Sequence, residues 1–425
     1  VGKTLWILNH YAISPDMPGG TRHFDLALEL VKKGHDVTIF ASGFDHSTRS
    51  YSKINPDEKM KVEVYDGVRF VWINTFPYAG NDWRRVVNMV SYGWRVLGCD
   101  RGLPKPDVII GSSMHPFAAL AGWWLARRHK ARFVFEVRDL WPQTAVDMGA
   151  IKEGSLLAKL LYGWEKFLYK RAEKIIVLLP YAKEYIVGRG ANPEKIFWLP
   201  NGVNLDRFDH PSPLDPGSEV GKAFEEYSDK FKVIYSGAHG QANGLEVIVQ
   251  AGSIIQDEGL GIHFFFIGDG PEKNNLIQKA NGIGLNNVSF LPPVSKAQVP
   301  SLLARADLLV HTIKKVDVLR YGMSPNKMYD YLASAKPIVT SIEARNNPVI
   351  EANAGISVEP ENPKALAEAI IEIYNMPEKR RKELGRNGRH YIEQYHSTKI
   401  LAQKLEALLG WNGDSGPHLQ SSVLI

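Results

Sequence analysis

Residues 4–41, TLWILNHYAISPDMPGGTRHFDLALELVKKGHDVTIFA, decide how the chain folds. Residues 4–9 are an apolar run of strand length. Pro18, Gly19 and Gly20 then break the chain. Beyond them Phe24, Leu26, Ala27, Leu30 and Val31 recur at helical spacing as far as Lys33-Gly34. A second apolar run, 36–41, reads as the next strand. Strand, glycine loop, helix and strand make a βαβ unit, so the sheet is parallel and its crossover right-handed. Ligands of such sheets bind at the loops beyond the strands' carboxyl ends.

The alternation continues outward. Further strands are expected at 61–64 with 68–74, and at 108–111, 133–137, 175–179 and 196–200, with helices over 115–128, 155–172 and 182–188. The polar, turn-rich stretch 42–60 reads as a surface loop. Residues 209–221, rich in Pro, Asp, Ser and Gly, read as a linker. A second series then begins, with strands at 232–236, 262–267, 288–291, 308–311 and 337–341. Helices are expected over 245–255, from 272, around 297–306, and from a loop into 324–334. After residue 359 the tail is helical and amphipathic, with breaks expected near Met376-Pro377 and at Gly385 and Gly388. Residues 413–425 read as a frayed end. The expected fold class is α/β, with two Rossmann-like doubly wound domains at 1–204 and 205–385. A helical tail, 386–425, is expected to pack back on the first.

At 425 residues the chain exceeds one comfortable hydrophobic core, which supports two domains. Its 44% hydrophobic and 23% charged residues are ordinary for a soluble protein. The single cysteine, Cys99, excludes an intrachain disulfide and a thiolate metal cluster, and suits a reducing compartment. No stretch of the sequence resembles a leader peptide or approaches an apolar run of about 18 residues, so a cytoplasmic protein is expected. The net charge of +5 is uneven: residues 1–200 carry 28 Lys+Arg against 20 Asp+Glu, the remainder 23 against 26. No nucleic-acid-binding module accompanies the basic half. A membrane surface, a phosphorylated acceptor or simply a solvated surface accounts for it. Trp83-Arg84-Arg85, Trp94-Arg95 and the run from Trp123-Trp124 to Arg127-Arg128 suit a headgroup boundary, or equally a buried aromatic helix flanked by arginines.

Three glycine loops each follow an expected strand and precede an expected helix: Pro18-Gly19-Gly20, Gly237-Ala238-His239-Gly240 and Gly268-Asp269-Gly270. Glycine allows close backbone approach, and a helix N-terminus offers N–H groups to an anion, although most glycine turns only connect elements. Gly-x-Gly-x-x-Gly is missing after the first strand, which argues against a dinucleotide dehydrogenase. Ser324-Pro325-Asn326-Lys327-Met328-Tyr329-Asp330 opens a helix with a lysine in its first turn. There it opposes the helix dipole unless an anion sits nearby. Asp330 can accept hydrogen bonds from two vicinal hydroxyls, as in a ribose. His115 falls at a carboxyl-end loop, where its imidazole can orient a substrate or shuttle a proton. Glu136-Val137-Arg138-Asp139-Leu140-Trp141-Pro142 gathers two carboxylates at a strand end, as a site or as an internal ion pair. Asp-x-Asp does not occur, so a metal-bridged diphosphate lacks its simplest support and no metal is expected. Helix dipoles and basic side chains would replace the cation.

Together these segments resemble the GT-B glycosyltransferases called group 1, or family 4. The resemblance runs in order through Pro18-Gly19-Gly20, Lys33-Gly34-His35-Asp36-Val37, Leu199-Pro200-Asn201-Gly202-Val203-Asn204 with Phe208, Gly268-Asp269-Gly270-Pro271 and Lys336-Pro337-Ile338-Val339. Val137-Arg138-Asp139-Leu140-Trp141-Pro142 with Ser324-Pro325-Asn326-Lys327 is similar to a narrower bacterial group of O-antigen and capsule enzymes, fucosamine-transferase-like proteins among them. The resemblance implies a UDP-sugar donor, no further cofactor, and transfer to a hydroxyl of a lipid-linked glycan precursor. It implies retention of configuration, and a protein peripheral on the inner face of the plasma membrane. It places Gly268 and Leu291 near the base, Asp330 at the ribose, and Asn326, Lys327 and Met328 around the phosphates. Gly19 and Gly20 would approach the phosphate or sugar, His115 the sugar, and Glu136 or Asp139 the donor or acceptor. Two departures stand out. The family's first glutamate falls on Gly322, and its Arg and Lys are missing from 237–244, where Gly237 and His239, with Lys327, would take over the phosphate. Two rival readings are a nonhydrolysing UDP-sugar epimerase and a binding protein without catalysis.

Overall fold

The opening βαβ unit forms as its pattern dictates. In the computed structural model, which describes residues 2–17, 19–80, 82–147 and 149–411, β1 (Thr4–Leu8) runs parallel to β2 (Asp36–Ser42). The helix Arg22–Lys32 crosses between them. Next come β3 (Phe44–Asp45), β4 (Ser50–Tyr51), β5 (Met60–Tyr65), β6 (Val68–Ile73), β7 (Val108–Ser113), β8 (Arg132–Val137), β9 (Lys174–Val177) and β10 (Ile196–Trp198). Eight of them form a sheet in the order β10-β9-β8-β7-β1-β2-β6-β5, parallel throughout except for β5, which is antiparallel to β6. Leu5 to Leu8 are all buried, as a strand covered on both faces requires. The chain leaves β1 towards β2 on one side, and β7 flanks β1 on the other. The crevice beyond the carboxyl ends of β1 and β7 is thus a topological switch point.

The second series is β11 (Phe231–Ser236), β12 (Ile262–Ile267), β13 (Val288–Leu291), β14 (Leu308–Thr312), β15 (Ile338–Ser341) and β16 (Gly355–Val358). All are parallel, in the order β13-β12-β11-β14-β15-β16, and the switch point lies between β11 and β14. Residues Asn201–Ser397 form one compact unit. The other consists of the chain up to Pro200 together with the chain from Thr398. In that unit the helix Thr398–Leu409 packs on Arg22–Lys32, sharing a core of Leu401, Ala402 and Leu405 with Ala27 and Leu30. Lys33 and His35 both bind Glu406, and the His35 ring stacks on Trp411 at 4.8 Å.

Several elements differ from expectation. The helix Glu378–Tyr391 runs straight through Gly385 and Gly388. A Cβ on Gly385 would lie 2.0 Å from the Ala335 oxygen, so that glycine allows close packing and does not end the helix. The break at Met376-Pro377 does occur, between Pro363–Asn375 and Glu378–Tyr391. Within 42–60, β3 and β4 pair as a small antiparallel ribbon. The 209–221 stretch already contains the start of a helix, Glu219–Glu226, capped by Ser218 and anchored by buried Val220 and Phe224. A helix unforeseen in the sequence, Trp83–Arg95, follows β6. Pro18 and residues 413–425 lie outside the described residues. Among the described residues no helix is long and apolar enough to cross a membrane.

Candidate functional site

In the unit spanning Asn201–Ser397, two glycine loops lie back to back at the carboxyl ends of β11 and β12. Gly237 N–H donates to the Ile267 oxygen at 2.9 Å, and His239 N–H to the Asp269 oxygen at 2.8 Å. A Cβ on Gly268, whose φ is +146°, would sit 2.0 Å from the Gly237 oxygen, so only glycine permits this contact. Leu291, ending β13, accepts from Gly268 N–H at 3.2 Å and from Lys273 Nζ at 3.0 Å.

Lys327 enters this cluster from the first turn of the helix Asn326–Ala333. Its Nζ donates to Tyr235 Oη at 2.7 Å and to Asn243 Oδ1 at 3.0 Å. It lies where a side chain on Gly237 would have to go, 3.1 Å from that position. Among the described residues no carboxylate pairs with it, and burial pulls the ammonium down to about 7. A half-buried cation facing only neutral oxygens lacks half of an ion pair, and an anion would supply it. His239 and His311 stand close by, both buried, with no hydrogen-bond partner on either ring nitrogen. Burial, with Lys273 and Lys327 adding to it, takes His239 down to about 4. Burial and then Lys327 lower His311 too. Both imidazoles are therefore neutral near pH 7.

Asp330, one turn further along the same helix, holds Lys296 Nζ at 2.7 Å. Asn326 is half-buried at the helix start, whereas Met328 points into the hydrophobic core. Ser324 is fixed by Asn201, whose backbone N–H donates to its Oγ at 2.8 Å and whose Nδ2 donates to its carbonyl at 2.6 Å. Gly322, at φ +88°, precedes Met323, whose backbone is bracketed by Asn346 at 2.7 and 3.1 Å. The loop before the helix is thus held rigidly, without a carboxylate at Gly322.

The other unit has its own cluster at its switch point. Glu136, at the end of β8, accepts from Arg22 Nε at 3.1 Å and Ser112 Oγ at 2.6 Å, and meets His23 Nε2 at 2.7 Å. Burial disfavours its charge, but His23 and Arg22 outweigh that and hold the carboxyl well below its ordinary range. Arg22 also donates to the oxygens of Pro200 and, at 2.9 Å, Leu199. Arg22 and His23 open the helix that follows Gly19 and Gly20, so Glu136 ties that loop's exit to β8. Gly19 has φ +129°, and a Cβ there would press on Ile13 at 2.9 Å.

His115 forms a 2.7 Å bond through Nε2 with His10 Nδ1, while its Nδ1 has no partner. Burial, then the nearby Arg85, takes it down to about 3. His10 is sandwiched between Tyr11 and Tyr92, with ring centroids 4.4 and 4.6 Å away. Asp139 is solvent-exposed on the loop beyond β8. The surrounding protein nevertheless raises its carboxyl, against the pull of Arg138. It joins neither the Glu136 network nor the histidine pair.

Tyr235, Asn243, His311, Lys273 and Lys296 were not foreseen in the sequence, nor were His10, Arg22 and His23. Only Arg22 and His23 carried a local signal, as the first helical residues after a glycine loop. Among the described residues no three His, Cys, Asp or Glu side chains converge as a metal centre requires.

Comparison with known proteins places both halves in one lineage. Residues 19–202 match the family described as glycosyl transferase 4-like domain, and residues 219–391 match glycosyl transferases group 1. WcaI of Escherichia coli K12, a glycosyl transferase assigned to colanic acid biosynthesis, is 26% identical over 279 residues, 64% of this chain and 67% of that one. Sucrose-phosphate synthase from Thermosynechococcus elongatus superposes with a TM-score of 0.71 at 17% identity, covering 96% of this chain and 98% of that one. Anabaena HepE, solved with UDP and glucose, gives a TM-score of 0.66 at 15% identity, covering 96% and 99%. The fold is therefore GT-B.

Proposed function

The chain belongs to the group 1 glycosyltransferases, and we propose that it moves a hexosyl unit from a UDP-sugar to a hydroxyl of a lipid-linked glycan precursor. The observation that carries this reading is Lys327, a half-buried ammonium with only neutral oxygen partners, beside Gly237 at the start of a helix. A diphosphate there holds the proton on Lys327 and meets a helix N-terminus, the side chain and the helix both being in place before it arrives. The leaving UDP is stabilised in this way, without a metal. Asp330 takes the ribose hydroxyls once Lys296 yields, and Gly268 and Leu291 border the base. HepE is solved with UDP and glucose, which supports the choice of nucleotide.

In the other unit, the neutral His115 offers Nδ1 to a sugar hydroxyl while His10 fixes its ring. Glu136 acts as a positioning residue, spending its charge on Arg22 and His23 behind Gly19 and Gly20. Asp139, exposed and with a raised carboxyl, is the group left to face an acceptor. The assignment of WcaI to colanic acid biosynthesis supports a role in surface polysaccharide synthesis. Within that role we favour O-antigen or capsule assembly with an N-acetylated amino or deoxyamino sugar and retention of configuration.

The test is thermal stabilisation by nucleotides with EDTA present, followed by product analysis. A shift with UDP but not with NAD, then transfer to a lipid-linked acceptor, is the expected outcome. No shift with any nucleoside diphosphate overturns the phosphate site. Gly322, where a carboxylate would stand, favours one second reading, a binder of sugar nucleotides without catalysis. UDP binding with no product on any acceptor selects it. A changed sugar without acceptor selects an epimerase.

A further inference from the structure

The helix Trp83–Arg95 is amphipathic the wrong way round for a soluble protein. Its inward side is polar. Asn88 Nδ2 donates to Thr75 Oγ1 at 2.9 Å and the Phe76 oxygen at 2.7 Å, and Tyr92 Oη donates to the Phe40 oxygen at 2.7 Å. Gly93 lets the helix lie against Phe117, whose Cβ is 2.9 Å from where a side chain would begin. The outward side is apolar: Trp83, Val86, Val90 and Trp94 are 66%, 52%, 44% and 78% exposed. Positions 83, 86, 90 and 94 follow helical spacing, so they form one stripe about 17 Å long. A stripe of this kind costs free energy in water, so something of matching chemistry covers it.

Charge says what that is. The helix holds three arginines and no acidic residue. The neighbouring helix Pro116–His129 adds exposed Trp124, Arg127 and Arg128, again without an acid. Arg84, Arg127 and Arg128 lie over the rings of Trp83, Trp123 and Trp124 at 5.6–5.8 Å. Arg128 also donates to the Leu97 oxygen at 3.0 Å, in the turn that follows the helix Trp83–Arg95, and pairs with Asp100 at 3.3 Å. Among the described residues the unpaired charge of this face therefore rests on Arg84 and Arg127. A second copy of the chain would bring these arginines against their own images. A bilayer with anionic headgroups meets both demands. Each basic side chain near its surface contributes about 1 kcal/mol, and tryptophan favours the boundary between headgroups and acyl chains.

We infer that the outward face of the helix Trp83–Arg95 docks on an anionic lipid bilayer, with Trp83 and Trp94 seated at the headgroup level. The inner side of the same helix carries Arg85 and Asn88 next to His10, the partner of His115. The docked face therefore stands one helix away from the candidate sugar site. The inference deepens the lipid-linked acceptor reading and rests on it.

Full-length protein is sedimented with vesicles of phosphatidylcholine alone or with one third phosphatidylglycerol, in low and high salt, without nucleotide or acceptor. Wild type is expected to bind the anionic vesicles. A Trp83→Ser, Trp94→Ser double variant is expected to lose at least about tenfold in partitioning, with an unchanged melting temperature and UDP shift. As a control, Leu156→Ser with Leu157→Ser, exposed on another helix, is expected to bind like wild type. No binding of wild type to anionic vesicles overturns the inference. So does binding that salt abolishes but the tryptophan variant leaves unchanged, which would be headgroup adsorption alone. A UDP shift without vesicle binding sinks the docking and leaves the transferase reading standing; the reverse does the opposite.

Discussion

Replacing Lys327 with methionine removes a half-buried ammonium while keeping most of its volume. Burial lowers this group from an ordinary 10.5 to about 7. Because the folded value lies below the unfolded one, the unfolded chain holds a proton between pH 7 and 10.5 that the folded chain has lost. The charge therefore penalises folding fully below pH 7, and the penalty fades as pH rises towards 10.5. A shift of about 3.5 units at 1.36 kcal/mol each sets an upper bound of ~5 kcal/mol. Methionine leaves Asn243 Oδ1 without its donor, which returns about 2 kcal/mol. The variant without ligand should then be more stable at pH 7 by at most ~3 kcal/mol, or roughly 6–12 °C for a unit of this size. The gain should vanish at about pH 9, and by pH 10.5 the variant should be about 2 kcal/mol less stable than wild type. Binding tells the complementary story. A diphosphate that needs the ammonium must bring a proton with it, so wild-type affinity for UDP should fall about tenfold per pH unit above 7. The variant should bind weakly with little pH dependence. Thermal melts from pH 6 to 10 and titration calorimetry with UDP read both effects. Flat wild-type affinity from pH 7 to 9, or a variant that binds UDP like wild type, refutes the argument.

Two further substitutions probe other groups. Asp330→Asn should weaken UDP by roughly 10–100-fold, the worth of charge-assisted hydrogen bonds. In calorimetry 2′-deoxy-UDP should bind wild type and variant nearly alike; a full loss on that ligand as well would place the ribose elsewhere. Glu165 is buried in the helix Leu156–Arg171, where burial raises its carboxyl to about 7 despite hydrogen bonds from Tyr169 and Tyr185. Its ionisation therefore costs stability as pH climbs from 4.5 to 7. Glu165→Gln should stabilise at pH 8 by up to ~3 kcal/mol in urea unfolding and have little effect at pH 4.5.

The sheets were legible because a strand covered on both faces is a continuous apolar run, as in Leu5-Trp6-Ile7-Leu8 and His263-Phe264-Phe265-Phe266-Ile267. The helix Trp83–Arg95 was not, because its polar side faces the protein and inverts the usual pattern. Gly385 misled for a related reason: its role is set by Ala335, fifty residues earlier, which local spacing does not reveal. The candidate site divides the same way. Lys327 and Asp330 share one helix and could be singled out together. Tyr235 and Asn243, which decide that Lys327 is half-buried and without a counter-charge, lie more than eighty residues away. Glu136 was visible as a carboxylate at a strand end. Its ion pair with Arg22 and its hydrogen bond with His23 depend on a pairing across more than a hundred residues.

The helix Thr398–Leu409 gives synthesis an unusual order of events. The unit spanning Asn201–Ser397 is continuous, so it can fold as soon as it leaves the ribosome. The first sheet emerges earlier yet waits for Leu401, Ala402 and Leu405 to close its core over the helix Arg22–Lys32. At roughly 5–20 residues per second, that delay is on the order of 10–40 s. During that interval the apolar side of Arg22–Lys32 is open to chaperones and to other nascent chains. The portion made first is finished last, and a ribosome that stalls anywhere between the two sheets releases a product with an unsealed core.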